Sequence, residues 1–236
     1  MHTRFTLCLL VSLALTLAGA AHADFVSYSG YIDFNSIGSG SINVAQFDPS
    51  LGTLTAVTVR IYQSAAASFA VDNDDVLERT AQAQMLRFWN LSGGAVSDSA
   101  TDTFTSSTIV LAADSGDGPG TADYTAPDGF NWGMVTGGGL HSTNAIASGN
   151  WGAYTGLGNV TYAVNMTTLI NGISTNSNSY QSQVINGVPS NQRMTVYVDY
   201  EYSKEYIPEP GSLALLSLGL GGLGVWRRRR AAAAAA

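Results

Sequence analysis

Cysteine is almost absent from this chain of 236 residues, which contains a single copy, Cys8. Everything after that position lacks a thiol, and this excludes disulfide bonds, a cysteine nucleophile and cysteine-ligated metals from the body of the protein. Histidine is also scarce, with three copies, His2, His22 and His141. One histidine in the body of the chain cannot form a typical zinc site without several carboxylates, so we expect no zinc.

Basic residues are also few in the body of the chain. Between Asp24 and Ile207 there are five basic residues against sixteen acidic ones, a net charge of −11. The basic residues are Arg60, Arg79, Arg87, Arg193 and Lys204. An acidic surface of this kind repels nucleic acid and anionic lipid, and it suits solubility outside the cell or the binding of divalent cations. We therefore expect no nucleic-acid partner.

Residues 1–23 predict a secretory signal peptide. Arg4 precedes an apolar stretch, and the segment ends in Ala21-His22-Ala23, the A-x-A pattern that signal peptidase cleaves. The apolar stretch is shorter than the ~20 residues that a membrane-spanning helix needs. Cys8 lies inside it, far from the cleavage point, so we expect no lipid anchor at this end.

The C-terminus predicts a short transmembrane helix. Residues 211–226 are 16 uncharged residues rich in leucine. As a helix they would extend about 24 Å, slightly less than the ~30 Å hydrocarbon core. The arginines that follow, Arg227, Arg228, Arg229 and Arg230, would hold this end in the cytoplasm by the positive-inside rule. The preceding domain would then lie outside the inner membrane.

Pro208-Glu209-Pro210 stands just before this helix. The two prolines disfavour helix in the residue before each, so the segment is expected to be extended and open to a processing enzyme. The order of motif, helix and arginines over residues 207–230 resembles the PEP-CTERM sorting signal. That resemblance implies processing by exosortase and a membrane-anchored precursor with a periplasmic domain, later placed on the outer surface or outside the cell. The alternative is a plain single-pass anchor, and residues 231–236 form a low-complexity tail with no assigned role.

Residues 24–206 predict one β-rich domain. Apolar and polar residues alternate with period two, which is typical of strands with one buried face. The stretches are Phe25–Phe34, Thr55–Gln63, Val160–Met166 and Met194–Tyr202, with further strand candidates at Gln84–Leu91 and Phe104–Leu111. Short strands separated by many turns predict an all-β fold, a β-sandwich or jelly-roll-like domain.

One short helix, with two alternative positions, and several turns complete this interpretation. The helix candidates are Asn165–Asn171 and Asp74–Gln84. The glycine-rich turn candidates include Gly93-Gly94, Asp128-Gly129 and Gly137–Gly139.

Two motifs resemble the choice-of-anchor E domain. They are Gln46–Val57, which begins Gln-Phe-Asp-Pro-Ser-Leu-Gly, and Tyr154–Val160, a G-x-G motif before a strand. The resemblance spans Tyr28–Tyr202 and implies a β-rich surface domain joined to one of several interchangeable C-terminal anchors. It implies no activity. Physically, Asp48-Pro49 predicts the start of a turn, and the glycines predict unusual backbone angles or close strand packing.

Oxygen-rich loops raise the possibility of calcium. Asp72, Asn73, Asp74 and Asp75 place three carboxylates and an amide in four consecutive residues, and hard oxygen ligands on loops are what calcium requires. A second cluster joins Asp114, Asp117 and Asp123. The spacing matches no established calcium loop, and the alternative is ordinary turn chemistry in which Asp and Asn bond their own backbone.

The chain offers no catalytic signature. His141 follows Gly137–Gly139 and is expected to be a solvated loop residue, and paired carboxylates for glycoside hydrolysis cannot be located from sequence. Trp132 and Trp151 are candidates for stacking on sugar rings, although core packing is the commoner use of tryptophan.

We therefore expect a non-enzymatic surface or exopolysaccharide-associated protein without a cofactor. The alternatives are a carbohydrate-binding module, with or without calcium, and an uncharacterised hydrolase.

Overall fold

Ten strands make up most of the residues that the computed structural model describes, which are 23–116, 122–176, 180–184, 192–204 and the single positions 219, 220, 224 and 230. The strands are β1 (Ala23–Phe34), β2 (Gly38–Ala45), β3 (Thr53–Asp72), β4 (Arg79–Gly93), β5 (Val96–Thr105), β6 (Ile109–Leu111), β7 (Gly129–Ala145), β8 (Asn159–Thr175), β9 (Gln181–Val184) and β10 (Gln192–Ser203). Short 3₁₀ turns occupy Pro49–Leu51 and Ser148–Tyr154. Asp24–Tyr202 forms one compact unit.

The two predicted terminal helices stay predictions. The signal-peptide residues 1–22 and the Pro208-Glu209-Pro210 motif lie outside the described residues, as do most positions of the apolar segment. Among the described residues, no helix has the length and apolar character needed to cross a membrane.

The strands form two sheets that pack as a sandwich. One has the order β1-β10-β3-β7 with β9 added to β3, and the other has the order β2-β8-β4-β5 with β6 added to β4. The chain pairs as one long hairpin that is folded across two sheets. Its successive strand pairs are β1·β10, β2·β8, β3·β7 and β4·β5. This is the arrangement of an eight-stranded jelly roll. The prediction of an all-β sandwich is confirmed.

The core between the sheets follows from the alternation in the sequence. Every second residue of β8 from Val160 to Met166 is buried, and β10 buries every second residue from Met194 to Tyr202. These side chains meet those of β2, β3 and β4 in one cluster of aromatic and branched residues. Burial of such apolar surface stabilises the fold by roughly 25 cal/mol per Å².

Both helix predictions are wrong. Asn165–Asn171 lies inside β8, where β2 and β4 pair with its two edges. In the second segment, β4 begins at Arg79 and buries alternate residues from Ala81. Pairing on the sheet therefore overrides weak local helix preference. The candidate strand Phe104–Leu111 is divided, because β5 ends at Thr105 and β6 begins at Ile109.

The two segments that resemble choice-of-anchor E motifs contact one another. The backbone of Gln46 and Phe47 donates hydrogen bonds to the carbonyls of Gly158 and Tyr154, and the Gln46 side chain accepts one from the Gly158 backbone N–H. Gly156 has a φ of 149°, and a Cβ there would lie 2.6 Å from Oε1 of Gln46. The expectation of close packing at this glycine is confirmed.

The next residues of the first motif serve as a cap. Asp48 accepts a hydrogen bond from the backbone N–H of Ser50 at 2.8 Å and begins the 3₁₀ turn Pro49–Leu51. Gly52 ends this turn with a φ of 149°. The predicted turn and unusual glycine angle are therefore both present.

A buried arginine links the two sheets. Arg87 of β4 is 2% exposed, and its Nε donates to Oε1 of Gln192 on β10 at 2.6 Å. Its other nitrogens donate to the carbonyls of Leu86 and Ile170 and to Oδ1 of Asn171. Burial lowers the pKa of Arg87 to about 10, so the guanidinium is still charged at neutral pH. The charge is held in the interior by neutral oxygens from three strands.

We predict that Arg87→Met destabilises the domain strongly. Methionine fills similar volume but removes the donor to the buried Gln192 oxygen and to the partly buried oxygens of Asn171 and Ile170, and the expected loss in free energy of unfolding is about 3 kcal/mol. Urea denaturation followed by intrinsic fluorescence measures it. The matched control is Arg193→Met, because Arg193 forms an exposed ion pair with Asp33. Equal shifts of the two midpoints would contradict the assigned role.

Candidate functional site

His141 lies in β7, where a β-bulge sets its direction. In the β3·β7 ladder Ile61 pairs with Ser142 and Tyr62 pairs with Leu140, so His141 is the extra residue between them. A bulge of this kind re-aims a side chain relative to the regular alternation of the strand. The imidazole is 23% exposed and points toward β5 of the opposite sheet. The expectation of a solvated loop histidine is therefore wrong.

Two aspartates of β5 flank this imidazole. Nε2 of His141 lies 3.6 Å from Oδ1 of Asp98, and Nδ1 lies 3.7 Å from Oδ1 of Asp102. These distances are too long for hydrogen bonds, but they allow ion pairing when the imidazole is protonated. His141 thereby bridges β7 and β5, the terminal strands of the two main sheet orders.

The remaining carboxylate oxygens are already hydrogen-bonded. Oδ2 of Asp102 accepts from the indole N–H of Trp89 at 2.7 Å, and Oδ2 of Asp98 accepts from the Ser142 hydroxyl. The Trp89 ring also contacts the imidazole edge-to-face, with ring centroids 4.9 Å apart. Both aspartates are therefore fixed in position, each with one oxygen directed at the histidine.

A shallow pocket of about 220 Å³ opens beside His141. Its wall includes Asp102, Phe104, Gln63 and the backbone of Gly138 and Gly139. A Cβ on Gly138 would lie 2.3 Å from the Gln63 carbonyl oxygen, and one on Gly137 would lie 2.3 Å from the Phe104 ring. The glycines that predicted a turn are instead required inside β7, where neighbouring groups approach closely.

The groups around His141 include one hydroxyl, that of Ser142. The Ser142 hydroxyl donates to Asp98 and not to the imidazole, so the serine–histidine pair of an activated nucleophile is not formed. His141 and Asp102 instead present an imidazole and a carboxylate to a small concave space. Such groups can hydrogen-bond a polar ligand or attract a cation.

The proposed calcium residues have other structural roles. The Asn73 side chain donates to the carbonyls of Leu77 and Ala112, and the Asp75 carboxylate pairs with Arg79 at 2.6 Å. Asp72 and Asn73 are buried. No group of three or more histidine, cysteine, aspartate or glutamate residues in the described segments could hold a metal ion. Calcium binding at Asp72, Asn73, Asp74 and Asp75 stays a prediction.

The second acidic cluster lies against the first. The backbone N–H of Asp114 donates to the Asp75 carbonyl at 2.9 Å, and the Asn73 N–H donates to the Asp128 carbonyl at 3.1 Å. Asp114 and Asp123 accept hydrogen bonds from backbone two residues ahead, as turn-forming aspartates do. Asp117 lies outside the described residues.

The two candidate sugar-stacking tryptophans pack against the interior. Trp132 is the extra residue of a second β7 bulge, between the pairs Phe69–Gly133 and Ala70–Asn131, and it contacts two apolar clusters. Trp151 packs on the main core and donates its N–H to the Ile146 carbonyl at 3.0 Å. Both side chains are partly exposed, and their role in sugar stacking stays a prediction.

The described part of the chain thus defines a class, an all-β sandwich domain with a side pocket. Residues 207–230 match the family model of the PEP-CTERM protein-sorting motif. No curated protein matches the chain. The matched residues include Pro208-Glu209-Pro210 and the arginines Arg227 to Arg230. They mark an exported protein that exosortase sorts, made as a membrane-anchored precursor at the cell envelope.

We predict that Asp102→Ala destabilises the pocket wall. The change leaves the buried Trp89 indole N–H without its acceptor, and the expected loss in free energy of unfolding is about 2 kcal/mol. Thermal or urea unfolding measures this loss, and tryptophan fluorescence checks the local environment. Thr103→Ala is the control, because Thr103 is an exposed neighbour on the same strand. A loss no larger than that of the control would contradict the importance of this hydrogen bond.

Proposed function

We propose that this protein is a non-enzymatic surface or exopolysaccharide-associated component that exosortase processes after export. The observation that carries the proposal is the sorting motif at residues 207–230, which follows closely after β10 ends at Ser203. In this proposal residues 1–23 are the signal peptide, residues 24–206 the functional domain and residues 207–230 the sorting signal. The domain lies in the periplasm until the precursor is processed and is then on the outer surface or outside the cell.

The proposed domain type is choice-of-anchor E. Its support is the hydrogen-bonded contact between Gln46–Phe47 and Tyr154–Gly158, since these two segments carry the resemblance and form one structural unit. The proposal of a non-enzymatic role is supported by the Ser142 hydroxyl, which is bonded to Asp98 instead of His141. A role through binding and assembly therefore fits the geometry better than hydrolysis.

We predict that the Pro-Glu-Pro motif is required for C-terminal processing. In a bacterium that contains exosortase, the mature protein should lack Arg227 to Arg230, and Glu209→Ala should leave most of the protein with its arginines. Mass spectrometry of the C-terminal peptide measures both. Pro189→Ala, a proline substitution upstream of the matched residues, is the control and should be processed normally. A mature wild-type protein that retains all four arginines would show a permanent anchor.

A second candidate function is carbohydrate binding. The observation that favours it is the pocket beside His141, which combines polar groups with the ring of Phe104. Trp132 and Trp151 are not required for this function, because each has its own packing partners. The organism's own exopolysaccharide is the natural ligand to test.

We predict that the full chain in detergent micelles sediments with that exopolysaccharide and is released by an excess of free neutral sugars. The folded variants Trp132→Phe and Trp151→Phe should retain the binding, because neither tryptophan lines the pocket beside His141. Quantification of bound protein by immunoblot gives the result. Failure of the wild-type chain to sediment would remove the second candidate and leave the assembly role.

A further inference from the structure

The pocket beside His141 has the dimensions of a single small ring. Its volume of about 220 Å³ is below the ~300 Å³ at which pockets for drug-sized ligands begin. Its walls come from three strands, with Gln63 on β3, Asp102 and Phe104 on β5, and Gly138 to His141 on β7. Because β7 is the terminal strand of its sheet order, one edge of its glycine backbone has no strand partner among the residues that the structure describes.

The polar groups of the pocket suit hydroxyl groups. Asp102 offers a carboxylate acceptor, and His141 offers ring nitrogens that can donate or accept. A ligand hydroxyl can donate a hydrogen bond to the Asp102 carboxylate and can donate to or accept from an imidazole nitrogen.

One wall of the pocket is apolar. The Phe104 ring is held against β7 because Gly137 provides no side chain at that point. An aromatic ring of this kind packs against the C–H face of a sugar while the hydroxyls reach polar groups on the other walls. An imidazole, a carboxylate and an aromatic face in one small concave site match the mixed polarity of a pyranose.

The charge of the site selects among ring ligands. Asp98 and Asp102 place two carboxylates around one imidazole, and the domain as a whole is acidic. A ligand carboxylate or phosphate would be repelled. A neutral sugar avoids this repulsion and still hydrogen-bonds to both kinds of group.

We propose that this pocket binds one neutral pyranose unit, with Asp102 and His141 bonding its hydroxyls and Phe104 packing on its ring face. The inference rests on the second candidate function and names its ligand class and its site. A single ring in an open pocket is expected to bind weakly, with a Kd of about 1–10 mM.

The test is saturation-transfer difference NMR on the full chain in detergent micelles. The probes are D-glucose, D-galactose and D-mannose, with D-glucuronate as the anionic comparison and choline as the cationic one. At least one neutral sugar should give a signal at millimolar concentration, and glucuronate should give a weaker one. Absence of signal from all three neutral sugars would overturn the proposal, as would a signal from choline alone.

Two variants locate the site. Asp102→Asn keeps an acceptor for the Trp89 N–H but removes the charge, and it should weaken sugar binding at least about tenfold. Phe104→Leu keeps an apolar wall but loses the ring, and it should also weaken binding. The matched control is Glu201→Gln, an exposed carboxylate on β10. Melting temperatures identify which variants are folded.

The outcomes separate the site from the function. Sugar binding that is equal in wild type, Asp102→Asn and Phe104→Leu would overturn the assigned site but leave carbohydrate binding intact. Sedimentation with exopolysaccharide without any monosaccharide signal would overturn the pocket proposal alone. Loss of both kinds of binding would remove the second candidate function together with its site.

Discussion

The fold depends on satisfying one buried charge. Arg87 is almost completely buried. Its guanidinium has lost its hydrogen bonds to water, so protein oxygens must accept its hydrogen bonds instead. Those oxygens belong to β4, β8 and β10, which lie in both sheets. Movement of one sheet relative to the other would therefore separate Gln192 from Arg87 and leave the guanidinium Nε without its acceptor in the core. In a protein without disulfide bonds, this polar contact fixes the alignment that a purely apolar interface specifies only loosely.

The alignment has a consequence at the side of the sandwich. Asp102 lies opposite Arg87 in the β4·β5 ladder, and Trp89, two residues after Arg87, donates to the same aspartate. The strand that supplies the carboxylates to the His141 pocket is thus paired directly with the strand that carries the buried arginine. The register of the β4·β5 ladder therefore determines both the packing around Arg87 in the core and the geometry of the pocket.

Much of the sandwich was predictable because alternation is a direct consequence of strand geometry. Val160–Met166 and Met194–Tyr202 alternate without interruption, and both are strands with the expected buried faces. The sorting signal was predictable for a different reason, since its order of proline motif, apolar segment and arginines is contained in local sequence.

The candidate site was not predictable in the same way. Gly137–Gly139 has the composition of a turn, yet it lies inside β7, where Phe104 and the backbone of β3 approach too closely for a side chain. The direction of His141 follows from a bulge, and a bulge is a property of the pairing between β3 and β7. Asp98 and Asp102 lie near His141 only because β5 of one sheet packs beside β7 of the other. A solvated loop was the natural interpretation of the isolated sequence, and the error came from tertiary contacts that local pattern does not encode.

Charge limits what the surface of this domain can bind. Of the four arginines in the described β domain, Arg60, Arg79 and Arg193 are paired with aspartates and Arg87 is buried. Burial opposes the ionisation of Asp199, but hydrogen bonds from Arg60 and Ser27 outweigh it and lower the pKa of that aspartate. The positive charges of these arginines are thus used in contacts within the domain. The excess of acidic residues therefore determines the electrostatic potential that an approaching polymer experiences. An acidic glycan would be repelled unless divalent cations screened it. A neutral glycan is not repelled in this way. Although each pocket binds one ring weakly, many copies of the protein on the same glycan chain can together bind it strongly.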